Sequence, residues 1–389
     1  MGGFFLVKME RKIKIIKDDK YPCDVACFEN LNLTLESGYK LNELKIAFKT
    51  YGNLNKNKSN AILICHALTA DQFVADEHPI TKKDGWWQHM IGSNKPIDTN
   101  KYFVICSNVL GGCIGTTGPK EINIKNNKIY GLDFPSITIK DIVKVQKLLI
   151  ESLNIEKLYC VIGASMGAMQ VLQWVIDYPK NIMNIIHIAG ALKHSPQNIA
   201  FHEVGRQAIT SDSKWHKGDY LNKYEKPERG LAVARMIAHI TYLSEEALYR
   251  KFGRKLQSKD LISFGFDADF QVESYLRYQG QSFVDRFDAN SYLYLTRAMD
   301  YFDVSKIFPK LIQFNGEDNE HIHHCIISFT SDWLFPTNEN KEIVKILNKF
   351  GRKVSFTEII TDKGHDSFLL DEPELFDTIS GFLEGNYEE

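Results

Sequence analysis

The stretch Gly163-Ala164-Ser165-Met166-Gly167 constrains this chain more than any other, because of what flanks it. An apolar run, Leu158-Tyr159-Cys160-Val161-Ile162, leads in, and an apolar segment of helical character leads out as far as Pro179. A G-x-S-x-G between strand and helix holds its serine at the tip of a strained turn with the hydroxyl exposed, and the flanking glycines let the backbone pass close to its neighbours. The same five letters on their own mark many ordinary loops. In this setting they predict a nucleophile elbow with Ser165 at its tip.

Further short apolar runs lie at 61–65, 102–107, 183–189, 325–330 and 354–360, and most are separated by helical patterns. Ile142, Val145, Leu149 and Leu153 recur at helical spacing behind a cap candidate at Ser136 or Thr138, directly before the strand that carries Ser165. This β-α-β alternation predicts an α/β architecture: a mostly parallel sheet with helices on both faces and ligands at the carboxyl ends of the strands.

From about 191 to 308 the strand pattern stops and helical patterns take over, including 228–243, 271–287 and 289–301. The chain therefore divides into a first core part (1–190), a helical lid insertion (191–308) and a second core part (309–389). A lid inserted there sits above the nucleophile, where it shapes a pocket and excludes water. Its aromatic residues, among them Tyr275, Tyr278, Phe283, Phe287, Tyr292 and Tyr301, read as lid core or as a dimer surface.

At 389 residues and 44% apolar content the chain can bury a large core, and 47 basic against 49 acidic side chains give no reason to expect nucleic acid or an anionic membrane as partner. Small molecules are the expected ligands. The apolar run from Phe4 to Val7 is too short for a signal or a span, so a cytoplasmic location is the default expectation. Position 6 lacks the Ser or Thr that myristoylation at Gly2 would need, and Met1 and Met9 are both candidate starts. Seven cysteines, with Cys65, Cys106 and Cys160 inside apolar runs, read as buried thiols rather than a disulfide framework. Cys23 and Cys27 have no second pair at zinc spacing, so no metal is expected.

A serine nucleophile needs a base and a group to orient it, and in this architecture the chain order is nucleophile, acid, histidine. Asp332 follows the run at 325–330, and His365, in Lys363-Gly364-His365-Asp366, follows the run at 354–360. Alone, Asp332 reads more readily as a turn or cap residue, but together with His365 it completes a candidate triad. The oxyanion hole is expected from the amide of Met166 and, in the loop His66-Ala67-Leu68-Thr69, that of Leu68. His66 comes too early in the chain to be the base and is expected to fix that loop.

The blocks His66 to Thr69, Asn108 to Cys113, Gly115 to Pro119, Gly163 to Gln170, Ser331 to Pro336 and Gly364 to Leu369 resemble homoserine O-acyltransferases of the α/β-hydrolase superfamily. So do Arg235 to Tyr242 and Arg286 to Tyr292, and the likeness runs from about Leu41 to Asp371. Departures are Ala164 where many relatives carry glycine, Ala70, and a longer 315–324 stretch.

The resemblance implies the α/β-hydrolase fold and ping-pong acetyl transfer from acetyl-CoA through Ser165 to L-homoserine, a step towards methionine. By the same resemblance, no permanently bound cofactor is expected. It also implies Arg235 on the substrate carboxylate, Asp366 on its ammonium group, Tyr242 lining the site, and a homodimer joined through the lids. Thr116-Thr117 resembles acetyl-transferring members. Succinyl transfer, L-serine as acceptor, a serine esterase or thioesterase, and a catalytically silent binding protein are the alternatives.

Overall fold

The structure, a computed structural model, describes residues 12–123, 126–257, 261–314 and 319–387. The run Phe4 to Val7, both candidate starts and residues 315–318 of the longer stretch lie outside the described residues.

Nine strands form the main sheet: β1 (Lys12–Lys17), β2 (Asp24–Glu29), β3 (Leu44–Tyr51), β4 (Ala61–Cys65), β5 (Phe103–Ser107), β6 (Leu158–Ala164), β7 (Ile182–Ile188), β8 (His323–Phe329) and β9 (Lys353–Ile359). Their spatial order is β1-β2-β3-β5-β4-β6-β7-β8-β9. From β5 onward every pairing is parallel, as expected from the alternation. The first three strands pair antiparallel and extend the sheet on one side, which the sequence reading did not foresee.

Alternate residues of the central strands go to opposite faces, as the two-residue period of a strand requires. Leu63 and Cys65 of β4 join one buried cluster, and Ile62 and Ile64 join the other. The first cluster is covered by α1 (Ile139–Ser152), α2 (Met166–Asp177), α8 (Ile307–Phe314) and α9 (Thr337–Lys349). The second is closed by α10 (Pro373–Gly385), through Leu375, Ile379 and Leu383, and by a loop carrying Trp87 and Met90. Buried on both faces, β4 and β6 are apolar throughout their length, and β7 is apolar but for the buried Asn184 and His187, which is why they were readable as short apolar runs. Of the two cap candidates before α1, Thr138 is the cap: its hydroxyl accepts from the Asp141 amide, and the Asp141 side chain returns to the Thr138 amide.

Between β7 and β8 lie α3 (Pro196–Thr210), α4 (Glu228–Tyr242), α5 (Glu245–Phe252), α6 (Gln271–Val284) and α7 (Ala289–Asp300). The helical patterns at 228–243, 271–287 and 289–301 correspond to α4, α6 and α7, with α6 ending three residues short of Phe287. Phe283, Phe287 and Tyr292 are buried, whereas Tyr278 and Tyr301 are exposed, so the aromatic load is mainly core. No helix is long and apolar enough to cross a membrane among the described residues. All seven cysteines are free.

Candidate active site

Ser165 stands between β6 and α2 with φ 58° and ψ −121°, a left-handed conformation in which a residue with a Cβ is strained. The strain is held from both sides. The Ser165 amide donates to the Ile188 carbonyl at 3.1 Å, which carries the β6–β7 pairing into the turn, and its carbonyl accepts from the Ala168 amide at 2.9 Å. The glycines are required by contact: a Cβ on Gly163 would lie 2.3 Å from the Gly167 carbonyl oxygen, and one on Gly167 would lie 2.0 Å from that of Cys65.

Asp332 and His365, 33 residues apart, are brought together by the adjacent strands β8 and β9: His365 Nδ1 donates to Asp332 Oδ2 at 2.7 Å, and both side chains are buried. The other carboxylate oxygen, Oδ1, accepts from the amides of Leu334 and Phe335, each at 2.9 Å. Asp332 is therefore both the turn residue and the histidine's partner, and the first role aims it for the second. The turn bearing His365 is tied down by the Gly364 amide on Ser331 Oγ at 3.0 Å and by Trp87 Nε1 on the Phe368 carbonyl at 2.7 Å. His365 Nε2 is buried and has no hydrogen-bond partner among the described residues. Burial disfavours the imidazolium, but the charge and hydrogen bond of Asp332, with a contribution from Asp366, outweigh it and raise the His365 pKa above its ordinary value.

The loop after β4 is held by His66, which is buried. Its Nδ1 donates to the Ala67 carbonyl at 2.8 Å and its Nε2 accepts from the Val109 amide at 3.2 Å, so it fixes the loop as expected. Gln170 Nε2 on the His66 carbonyl at 3.2 Å ties that loop to α2. Leu68 and Ser165 line one narrow cavity of about 30 Å³, into which Tyr242 also faces. Among the described residues the amides of Leu68 and Met166 make no hydrogen bond, which leaves two donors uncommitted beside the nucleophile. Gly112, Cys113 and Ile114 line a second small cavity that shares Leu68. Thr116 and Thr117 serve the scaffold: their hydroxyls accept from the Ala47 and Lys45 amides of β3, each at 2.9 Å.

Arg235, on α4, donates to Thr69 Oγ1 at 3.0 Å, and its guanidinium lies over the rings of Phe283 at 4.8 Å and Tyr242 at 5.6 Å. The Tyr242 ring is 6.1 Å from that of His365. Asp366 follows the histidine directly; burial pushes its carboxyl up to about 6, against the opposing charges of His365 and Arg235. The sequence reading gave no role to Arg286, whose Nη1 donates to the Thr69 carbonyl at 2.7 Å. Burial and the charge of Arg235 lower its pKa to about 10. Two arginines from the helical insertion thus clamp one residue of the core loop. Nothing in sequence spacing signalled this, although Arg286 opens one of the blocks that carried the resemblance.

Residues 60–372 match the family of the alpha/beta hydrolase fold. The homoserine O-acetyltransferase of Rhodospirillum rubrum is 59% identical over 355 residues, which cover 91% of this chain and 90% of that protein. The chain belongs to the homoserine O-acetyltransferase family. A second relative of that name, from Mesorhizobium japonicum, is 58% identical over 353 residues, 90% of each chain. Among solved structures, the homoserine O-acetyltransferase from Bacillus anthracis superposes with a TM-score of 0.82 at 27% identity, over 96% of this chain and 97% of that one. Esterase E22 gives the same TM-score, 0.82, at 28% identity, over 96% and 99%. The fold class expected from the sequence, a mostly parallel sheet with helices on both faces, holds.

Proposed function

We propose that this chain transfers acetyl from acetyl-CoA to L-homoserine through an acetyl-Ser165 intermediate. The observation that carries the proposal is the buried Asp332–His365 pair at 2.7 Å, with Nε2 unpartnered, whose imidazole lies 6.1 and 5.2 Å ring to ring from Tyr242 and Phe335, both of which line the cavity of the strained Ser165. In the first half-reaction His365 Nε2 takes the Ser165 proton and Oγ attacks the thioester carbonyl. The amides of Leu68 and Met166 receive the oxyanion. Collapse of the intermediate breaks the carbon–sulfur bond, and the CoA thiolate leaves with the proton from His365. In the second, His365 takes the proton of the homoserine hydroxyl, whose oxygen attacks the acetyl carbon, and Ser165 leaves reprotonated.

The acceptor is a zwitterion and needs charges of both signs. Arg235, stacked between Tyr242 and Phe283, is our choice for its carboxylate, and Asp366 for its ammonium. The insertion at 191–308 acts as a lid that keeps water from the acetyl-enzyme, and pairing of lids through exposed rings such as Tyr278 and Tyr301 makes a homodimer. A cytoplasmic location and a place in methionine synthesis accord with this reading.

One specific observation favours a second reading: esterase E22 fits the chain as well as the acetyltransferase from Bacillus anthracis does, so the same scaffold accommodates water as acceptor. Intact-protein mass after mixing with acetyl-CoA, then with L-homoserine, separates the two. The transferase gives an acetyl adduct on Ser165 that persists in water and is discharged by homoserine. An adduct lost equally fast without homoserine makes the chain a hydrolase, and one formed only from succinyl-CoA makes it a succinyltransferase.

A further inference from the structure

The cavity that holds Ser165 has a second wall which the mechanism above does not use. His194, together with Asn198 and His202 of α3, lines it. Both imidazoles are fixed from behind by one carboxylate at the end of α7: His194 Nδ1 meets Asp300 Oδ1 at 3.1 Å and His202 Nδ1 meets the same oxygen at 2.9 Å. Asp300 Oδ2 is paired with Arg206 at 2.7 Å, and the remaining guanidinium nitrogens of Arg206 are taken up by Glu203. Burial opposes the Asp300 charge, but the two imidazole hydrogen bonds and Arg206 hold its carboxyl well below the usual range, so it is ionised.

An ionised Asp300 accepts and cannot donate. Each Nδ1 must therefore carry the proton, and in a neutral His194 ring Nε2 is a lone pair. Among the described residues no hydrogen bond reaches either Nε2. Burial pushes the His194 pKa down to about 4, which keeps that ring neutral. Asn198 adds a second acceptor. Its amide nitrogen donates to the Leu334 carbonyl at 2.9 Å, which fixes the orientation, and its Oδ1 is buried without a partner. No Lys or Arg lines the cavity. The wall is close to the reacting groups, since the Phe335 ring stacks on His194 at 5.8 Å and also lies 5.2 Å from the ring of His365.

His194, His202 and Asp300 are also the one group of metal-ligand type among the described residues. The guanidinium on Asp300 answers that carboxylate already, and a metal ion would have to displace it. The geometry is that of a hydrogen-bonded wall presenting acceptors to the cavity.

We infer that His194, His202 and Asn198 form an acyl-selecting wall that admits short neutral acyl groups to Ser165 and refuses those ending in a carboxylate. The inference rests on the acetyl-transfer reading above and names its donor filter. Acetyl places only a methyl group beside the wall. Succinyl would bring a carboxylate against the lone pairs of His194 Nε2 and Asn198 Oδ1 and the Asp300 charge behind them, with no Lys or Arg lining the cavity to meet it.

The test compares acylation of Ser165 in the full chain by acetyl-CoA, butyryl-CoA and succinyl-CoA. Butyryl reaches almost as far as succinyl without the charge. In the wild type, kcat/KM for acylation by succinyl-CoA is expected to fall at least about thirtyfold below that for butyryl-CoA, the scale on which an unpaired buried polar group discriminates. His202→Lys supplies a cation at a position that is partly exposed, and should narrow that gap about tenfold or more while changing the acetyl-to-butyryl ratio little. Equal refusal of butyryl and succinyl by the wild type would mean that volume alone selects, and would overturn the inference even if the variant did not fold. A folded His202→Lys with an unchanged succinyl-to-butyryl ratio would do the same. Failure of acetyl-CoA to form any adduct would instead remove the acetyl-transfer reading.

Discussion

At the scale of single residues, the site depends on three acidic or basic groups packed next to one another. His365 must be neutral to take a proton, and its pKa is raised above 6.5, so its basic form is lost as pH falls through that raised value. Acylation by acetyl-CoA should therefore show an acidic limb above 6.5. Asp332→Asn should move that limb downward and lower the plateau by about 10³–10⁴-fold. A pH profile of single-turnover acylation measures both, and a limb that stays in place in the variant would remove Asp332 as its cause. Asp366 carries the opposite cost. Its carboxyl is lifted from 3.8 to about 6, so the folded chain holds this proton more tightly than the unfolded chain does, and stability falls as pH rises through that window. Asp366→Asn should stabilise the fold at pH 8 by about 1–2 kcal/mol, less at pH 5, while homoserine transfer falls more than acylation does. Urea unfolding at the two pH values checks the first part; an equal gain at both would show that the carboxylate charge is not the source.

At the scale of elements, the elbow sets the tightest requirement. Gly167→Ala places a Cβ 2.0 Å from the Cys65 carbonyl oxygen, so either the turn or β4 must move. Loss of soluble folded protein, or of acylation in whatever folds, is expected, and a fully active alanine variant would contradict this packing. Thr138→Ala removes only a cap and should cost about 1 kcal/mol in denaturant unfolding, with acylation intact. The elements legible in the sequence were those with one dominant cause. The strands β4 to β6 are short, mainly apolar runs, and α1 has both a hydrophobic stripe and a capping box. Those that escaped have mixed causes. β1 reads Lys-Ile-Lys-Ile-Ile-Lys and is exposed along its whole length, as suits an edge strand guarded by lysines. α3 buries Asn198 and Arg206, so its inner face does not look apolar; the signal that could have found it was Ser195 as cap before Pro196. The Asp332–His365 pair of the candidate triad was readable because chain order and strand ends define it. The clamp by Arg286 and the wall behind His194 depend on contacts between helices distant in sequence, and no local spacing encodes them.

At the scale of the whole molecule, the helical insertion and the core are joined in two ways. Phe283, Tyr292 and Leu295 of the insertion belong to the same buried cluster as Leu68, Leu110 and Ile137 of the core. Arg235 and Arg286 both end on Thr69, one residue beyond the proposed oxyanion donor Leu68. A lid with its own core would melt separately and could open without disturbing the loop. One that shares its core and holds the loop should do neither. Calorimetry should accordingly show a single unfolding transition, and two resolved transitions would refute the shared core. Arg286→Met keeps much of the side chain's bulk against Phe283 but leaves the Thr69 carbonyl without its donor. The loop then loses its fixed aim, and because an oxyanion donor is worth about 10²–10³ in rate, acylation should fall by up to that factor. The affinity for acetyl-CoA should change much less, since the defect lies in the transition state. If Arg286→Met instead raised KM and left the acylation rate intact, the clamp would serve substrate binding, and the link between lid and oxyanion loop would have to run through Arg235 alone.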